Sequence, residues 1–213
     1  MESKHLLAAL AAAALAAGCS NLERSRELGN PDVAPVTIAR QVCSNCHGAD
    51  GNSVSPAFPR LAGQQPAYIV SQLTNFRSHQ RSDPAGEFYM WGLSRRLSDA
   101  QIAGLADYFS KQPVRAGALP APDPRRFAAG KDIFENGVPD QNVIACAACH
   151  GPKGEGIEAF PRLANQHADY IVKQLDIFQN TQGRPGTPME GVSHPLTGGN
   201  MAAVAAYLQA FPE

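Results

Sequence analysis

Apolar residues recur at helical spacing through most of the chain, and nowhere do they alternate for long enough to predict a strand. Val36, Ile38, Ala39 and Val42 predict a short helix over 36–46. A second helix opens at Pro66 and runs over 66–79, with Ile69, Leu73 and Phe76 on one stripe. Ser98-Asp99-Ala100-Gln101 has the form of a capping box, and Ile102, Leu105, Ala106 and Phe109 continue one face of the helix behind it. Asp123-Pro124 reads as an N-cap followed by proline at the first helical position. The helix it opens, 125–136, ends at Gly137, a residue type favoured just past a helix C terminus. Helices over 168–179 and 200–210 complete the set, with Gly and Pro crowding the stretches between them. The expected class is all-α.

The same pattern is written twice. Cys43-Ser44-Asn45-Cys46-His47-Gly48 matches Cys146-Ala147-Ala148-Cys149-His150-Gly151, and Phe58-Pro59-Arg60-Leu61-Ala62 matches Phe160-Pro161-Arg162-Leu163-Ala164. Tyr68-Ile69-Val70 and Gln72-Leu73 return as Tyr170-Ile171-Val172 and Gln174-Leu175. Met90, Leu97 and Tyr108 then fall on Met189, Leu196 and Tyr207. Order is kept throughout, and the offset slips only in loop-like stretches. Two homologous domains are expected, over 36–112 and 124–213. The segment 113–123, with Pro113, Pro120 and Pro122, is expected to join them as extended, semi-rigid chain.

The amino terminus follows another pattern. Lys4 and His5 precede the apolar run Leu6 to Ala17, and small residues lead to Gly18-Cys19. That order predicts a secretory signal of lipoprotein type over 1–18, its apolar run too short to span a bilayer. Ala16-Ala17-Gly18-Cys19 resembles a bacterial lipobox, with Ala16 where Leu is common, so Cys19 is expected to carry the lipid anchor. Residues 19–35, polar and bounded by Pro31 and Pro35, read as a tether between membrane surface and folded part.

Composition narrows the picture. A chain of 213 residues with 44% hydrophobic and 17% charged residues is globular, and a net charge of −1 excludes bulk attraction to nucleic acid. Aromatics make up only 7%, with one Trp, which is thin for two self-supporting small cores. Domains short of apolar mass usually borrow stability from a metal, a disulfide or a cofactor.

The cysteines indicate which. Two thiols separated by two residues can add to the two vinyl groups of a haem, and the His that follows is set beneath the iron as its axial ligand. Cys43 and Cys46 with His47, and Cys146 and Cys149 with His150, are therefore expected to hold two covalent haem c groups. A structural zinc site would need a fourth ligand at finger-like spacing, which each repeat lacks. A thioredoxin-type pair needs a βαβ setting, and a disulfide across so short a loop confines the unfolded chain only weakly.

The second axial ligand decides between electron transfer and chemistry at an open iron. Met90 and Met189 stand seven residues before the matched Leu97 and Leu196, in Gly- and Pro-containing loops, and are the expected ligands. Met201 lies on a helical apolar stripe and reads as core. His79 and His194 have no counterpart at the matching position, and His167, at a helix start facing Gln65, reads as a surface residue or propionate neighbour.

Taken together, Cys-x-x-Cys-His-Gly, Phe-Pro-Arg-Leu-Ala-(Gly/Asn)-Gln, Tyr, Gln-Leu and a loop Met, all present twice, resemble the dihaem cytochrome c4 family, tandem class I c-type cytochromes. The resemblance implies two domains related by an approximate two-fold axis, with haem propionates meeting near their interface. It implies that Pro59 and Pro161 offer a carbonyl to the axial imidazoles, and places Arg60, Arg162, Tyr68 and Tyr170 in the propionate region. A solvated loop charge stays open for the arginines, and helical core packing for the tyrosines. The implied role is a non-enzymatic carrier of single electrons on the periplasmic side of a bacterial membrane. Its donor would be a redox protein such as a quinol–cytochrome c reductase, its acceptor a cbb3-type oxidase. A haem-carrying subunit of a larger dehydrogenase, such as flavocytochrome c, and a dihaem peroxidase-type enzyme remain alternatives. Finally, residues 37–113 carry seven Lys/Arg against five Asp/Glu, and 124–213 seven against nine, a charge separation of +2 against −2 that would orient docking.

Overall fold

The computed structural model describes residues 27–116, 119–180, 183–184 and 186–212, so the stretch 1–18 read as a signal and Cys19 lie outside the described residues. Helix α1 (Pro35–Ile38) continues through a π-helical turn, Ala39–Cys43, into α2 (Ser44–His47). Then come α3 (Pro66–Arg77), three short helical turns between Pro84 and Ser94, and α4 (Asp99–Ser110). The second half runs α5 (Pro124–Asn136), α6 (Ala147–His150), α7 (Ala168–Gln179), α8 (Met189–Ser193) and α9 (Gly198–Gln209). Among the described residues there is no strand, only isolated bridges of Val138 with Val143 and Ile157 with Phe160. None of their helices is long and apolar enough to cross a membrane.

Each half closes its own core. In the first, Ile38, Ile69, Leu97, Ile102, Leu105 and Phe109 are buried together; in the second, Phe134, Ile171, Leu175, Leu196, Val204 and Leu208. Each such side chain contributes roughly 1.5–3 kcal/mol by leaving water. The capping box predicted for α4 is formed: Gln101 N–H donates to Ser98 Oγ at 3.2 Å, and Ser98 N–H to Gln101 Oε1 at 3.0 Å. The same glutamine donates to the Asn30 carbonyl at 2.9 Å, and Val33 is buried in the first core. Docking onto the first domain thus begins before residue 36, inside the segment read as tether. The linker behaves likewise at its ends: Pro113 O accepts from Asn52 Nδ2 and Pro120 O from Gln209 Nε2.

The first and last helices of each domain cross so closely that one partner must lack a side chain. In the second domain this is Gly130 of α5, where a Cβ would stand 2.0 Å from Ala203 O. In the first, the glycine is on the other helix: Gly104 of α4, whose added Cβ would lie 2.3 Å from the Pro35 ring.

The two halves dock through a pseudo-two-fold set of hydrogen bonds. Gln64 accepts from Arg162 N–H (2.6 Å) and donates to Arg162 O (3.0 Å); reciprocally, Gln166 accepts from Arg60 N–H (2.8 Å) and donates to Arg60 O (2.9 Å). Next to them Gln65 donates to Glu155 O and Gly156 O, both at 3.0 Å, and His167 Nε2–H to Ser53 O at 2.9 Å. Ser53 and Gly156 are equivalent positions in the repeat, so Gln65 and His167 make one bond in two chemistries.

Candidate haem centres

The turn that carries each Cys-x-x-Cys-His motif is a short helix, and this places residues three apart on one face. Cys43, Cys46, Cys146 and Cys149 are all free thiols and partly buried. Burial pushes the Cys43 and Cys146 thiols each up to about 11, so both stay protonated and neutral at pH 7. Among the described residues no three His, Cys, Asp or Glu side chains converge as a metal cage requires.

His47 and His150 are 6% and 5% exposed. Nδ1 of His47 lies 2.8 Å from Pro59 O, and Nδ1 of His150 lies 2.9 Å from Pro161 O. A carbonyl only accepts, so each Nδ1 carries the proton and each Nε2 keeps a lone pair free for ligation. Burial lowers the proton affinity of both rings, partly offset by the carbonyl bond, and holds them neutral as ligands must be. The rings of Phe58 and Phe160 stand edge-on at 6.2 and 6.1 Å. Gly48 and Gly151, at φ +79° and +82°, let the chain leave the helix directly after each His. Free paired thiols, a fixed tautomer and an unused Nε2 fit a covalent haem.

Met90 and Met189 correct an expectation. Neither lies in a loop: Met90 is in the π-helical turn Glu87–Trp91, and Met189 opens α8. In both, a fully buried Ser four residues on donates to the Met carbonyl, Ser94 at 2.8 Å and Ser193 at 2.6 Å. Each buried hydroxyl thus finds its acceptor one turn back, within a segment too short for a readable period. Met90 and Met189 are both partly buried, and Met189 packs against the second core. Met201 is buried in that core, as its stripe predicted. His79 is exposed, paired with Glu87 at 2.9 Å, and His194 is exposed too. His167 is no surface residue: it is 3% exposed and lies in the interface.

Arg60 is likewise not a solvated loop charge, at 6% exposure. Its guanidinium donates to Asn165 O and Arg115 O, each at 2.9 Å, and to Asn52 Oδ1, leaving Nε without a partner among the described residues. Arg162 meets Gln64 through its main chain. Tyr68 and Tyr170 lie in the interface beside Arg184 and Arg81. Burial alone would raise the Tyr68 phenol, but the two arginines outweigh it and hold it below the usual tyrosine value. At Tyr170 burial wins and the phenol is raised. Sequence reasoning missed Arg81 and Arg184 and gave Gln64 no role of its own; the signal for the arginines was there, since they match at the same offset of the repeat as the Cys-x-x-Cys-His motifs.

Comparison with known proteins agrees with this geometry. The sequence profile described as "Cytochrome c" matches twice, over residues 36–112 and 127–211. Cytochrome c4 of Thiocapsa roseopersicina is 36% identical over 188 residues, 86% of this chain and 93% of that protein. The crystal structure of reduced recombinant cytochrome c4 from Pseudomonas stutzeri superposes with a TM-score of 0.74 at 34% identity, covering 86% of this chain and all of that one. A protein of Stutzerimonas stutzeri named thiosulfate dehydrogenase electron acceptor is 34% identical over 183 residues, 79% of this chain and 78% of its own.

Proposed function

The chain belongs to the cytochrome c family, and from that premise we propose that it relays single electrons between redox proteins on the periplasmic side of a bacterial membrane. It has two tandem cytochrome c domains, each built for one covalently attached haem c. Cys43 and Cys46 would hold the first through thioethers, with His47 and Met90 as its iron ligands. Cys146, Cys149, His150 and Met189 would do the same for the second. When bound, each haem supplies one-electron exchange between ferric and ferrous iron.

The chain's own part is to hold and tune. Pro59 and Pro161 fix the imidazoles through Nδ1–H, and the neutral thioether of Met raises the potential relative to a second imidazole. Tyr68 and Tyr170 would face the propionate groups with Arg81 and Arg184. Arg60 and Arg162 join the domains there, so the carriers keep a fixed separation. The observation that carries this reading is the duplication: two equivalent buried imidazoles, each with a free Nε2, in domains locked by reciprocal hydrogen bonds. A relay needs two like centres at constant distance, whereas a single catalytic iron does not.

The donor would be a quinol–cytochrome c reductase and the acceptor a cbb3-type oxidase, with Cys19 lipidated as the membrane anchor. The relative named for thiosulfate dehydrogenase favours a second reading of the donor, an enzyme that oxidises a sulfur substrate. Stopped-flow mixing of oxidised protein with each reduced donor tests both. Two electrons taken up per chain, at a rate that falls with salt, are expected; a single electron per chain would contradict the relay.

A further inference from the structure

Where the domains meet, a ring of polar side chains is buried beside the Tyr68–Tyr170 pair. Arg81 donates to Gln72 Oε1 at 2.7 Å and to Gln174 Oε1 at 3.1 Å; Arg184 donates to the same two oxygens, to Gln72 at 3.0 Å. Each guanidinium lies 4.4 Å over a phenylalanine ring, Arg81 on Phe76 and Arg184 on Phe178. Arg81 is 6% and Arg184 7% exposed. The ring is two-fold symmetric in its arginines, glutamines and aromatic faces. One residue breaks the symmetry. Asp83, 1% exposed, accepts from Arg81 Nε at 2.7 Å, while the position equivalent to Asp83 beside Arg184 is Gly186. Among the described residues Arg184 has no carboxylate partner.

Two buried cations thus share one anion, and it sits on one side. Charges held in so low a dielectric act over several ångströms with little screening. Asp83 also caps the turn that runs straight into the Met90 segment, accepting from Gly86 N–H at 3.2 Å. Helix α3, which carries Gln72, packs on that Met90 segment, and α7, which carries Gln174, packs on the helix opened by Met189. Since reduction removes one positive charge from a haem, an adjacent anion lowers its potential and an uncancelled cation raises it.

We propose that Asp83 is the residue that sets the two haems apart in reduction potential, cancelling Arg81 on the first domain's side and leaving Arg184 uncancelled on the second. This rests on the dihaem reading above. The test is a spectroelectrochemical titration of the haem-loaded protein carrying Asp83→Asn, which keeps the shape and an acceptor for Arg81 but removes the charge. The first-domain haem should rise in potential while the second moves less, narrowing the gap; Met189→His in the same background identifies the second haem. Gly186→Asp, with Gly186→Asn as its neutral control, adds a carboxylate on the other side; an added Cβ meets nothing within 4 Å there, and both variants carry the same strain of a side chain at φ +75°, so the charge alone separates them. It should lower the second haem. An unchanged gap in Asp83→Asn, or equal shifts of both haems, overturns the proposal when wild-type protein shows two haems and methionine ligation. Should Asp83→Asn fail to load haem, equal potentials in Gly186→Asp and Gly186→Asn overturn it. Wild type without methionine ligation overturns instead the reading on which the proposal stands.

Discussion

His47 and His150 are set apart from the other histidines by what holds Nδ1: a proline carbonyl, in both repeats, at nearly the same distance. The motif spacing made these two residues and the four cysteines legible from sequence, because haem attachment is a local demand on five consecutive positions. The methionines were singled out only through the repeat, since nothing in one short segment distinguishes a ligand from a packing residue. Met189→His should lower the second haem's potential while keeping it six-coordinate, read by redox titration and the optical spectrum; an unmoved potential would remove Met189 from the iron. His167 was misjudged, because its burial depends on the opposite domain. Burial lowers its proton affinity, Ser53 O raises it and nearby Arg60 lowers it again, with Asp169 opposing. The folded protein therefore binds this proton less readily than the unfolded chain, and stability falls as pH drops below the ordinary value of 6.5. His167→Gln, which copies Gln65, should lessen the loss of unfolding midpoint between pH 8 and about pH 5.5.

At the scale of helices, the period and the caps placed most elements within two residues of where they lie, and α7 at both its ends, Ala168–Gln179. What escaped was every helix of five residues or fewer in the Met segments, which are too short to show a period. The crossing of first and last helices was equally hidden, because the glycine that permits it sits on α4 in one domain and on α5 in the other. Gly130→Ala forces a methyl against the Ala203 carbonyl, a backbone atom that cannot step aside alone. A loss of about 1–3 kcal/mol in denaturant unfolding is expected, despite the better helix propensity of Ala. Gly104→Ala meets only the edge of the Pro35 ring and should lose less.

For the molecule as a whole, the duplication predicted two domains, but not how they meet. The joining bonds run between residues about a hundred positions apart, Gln64 with Arg162 and Gln166 with Arg60, and no periodicity reports such pairs. The repeat did mark their residues, in the Phe-Pro-Arg-Leu-Ala-(Gly/Asn)-Gln stretch. At the join Arg60 donates to neutral carbonyls and Asn52, while Arg81 and Arg184 are buried beside Gln72 and Gln174. Near-infrared absorption of the oxidised protein, scaled to haem content, reaches the centre of this account most directly. Two irons each held between imidazole and thioether predict the methionine-to-ferric band at the intensity of two haems per chain. A band at half that intensity, or none, would contradict it.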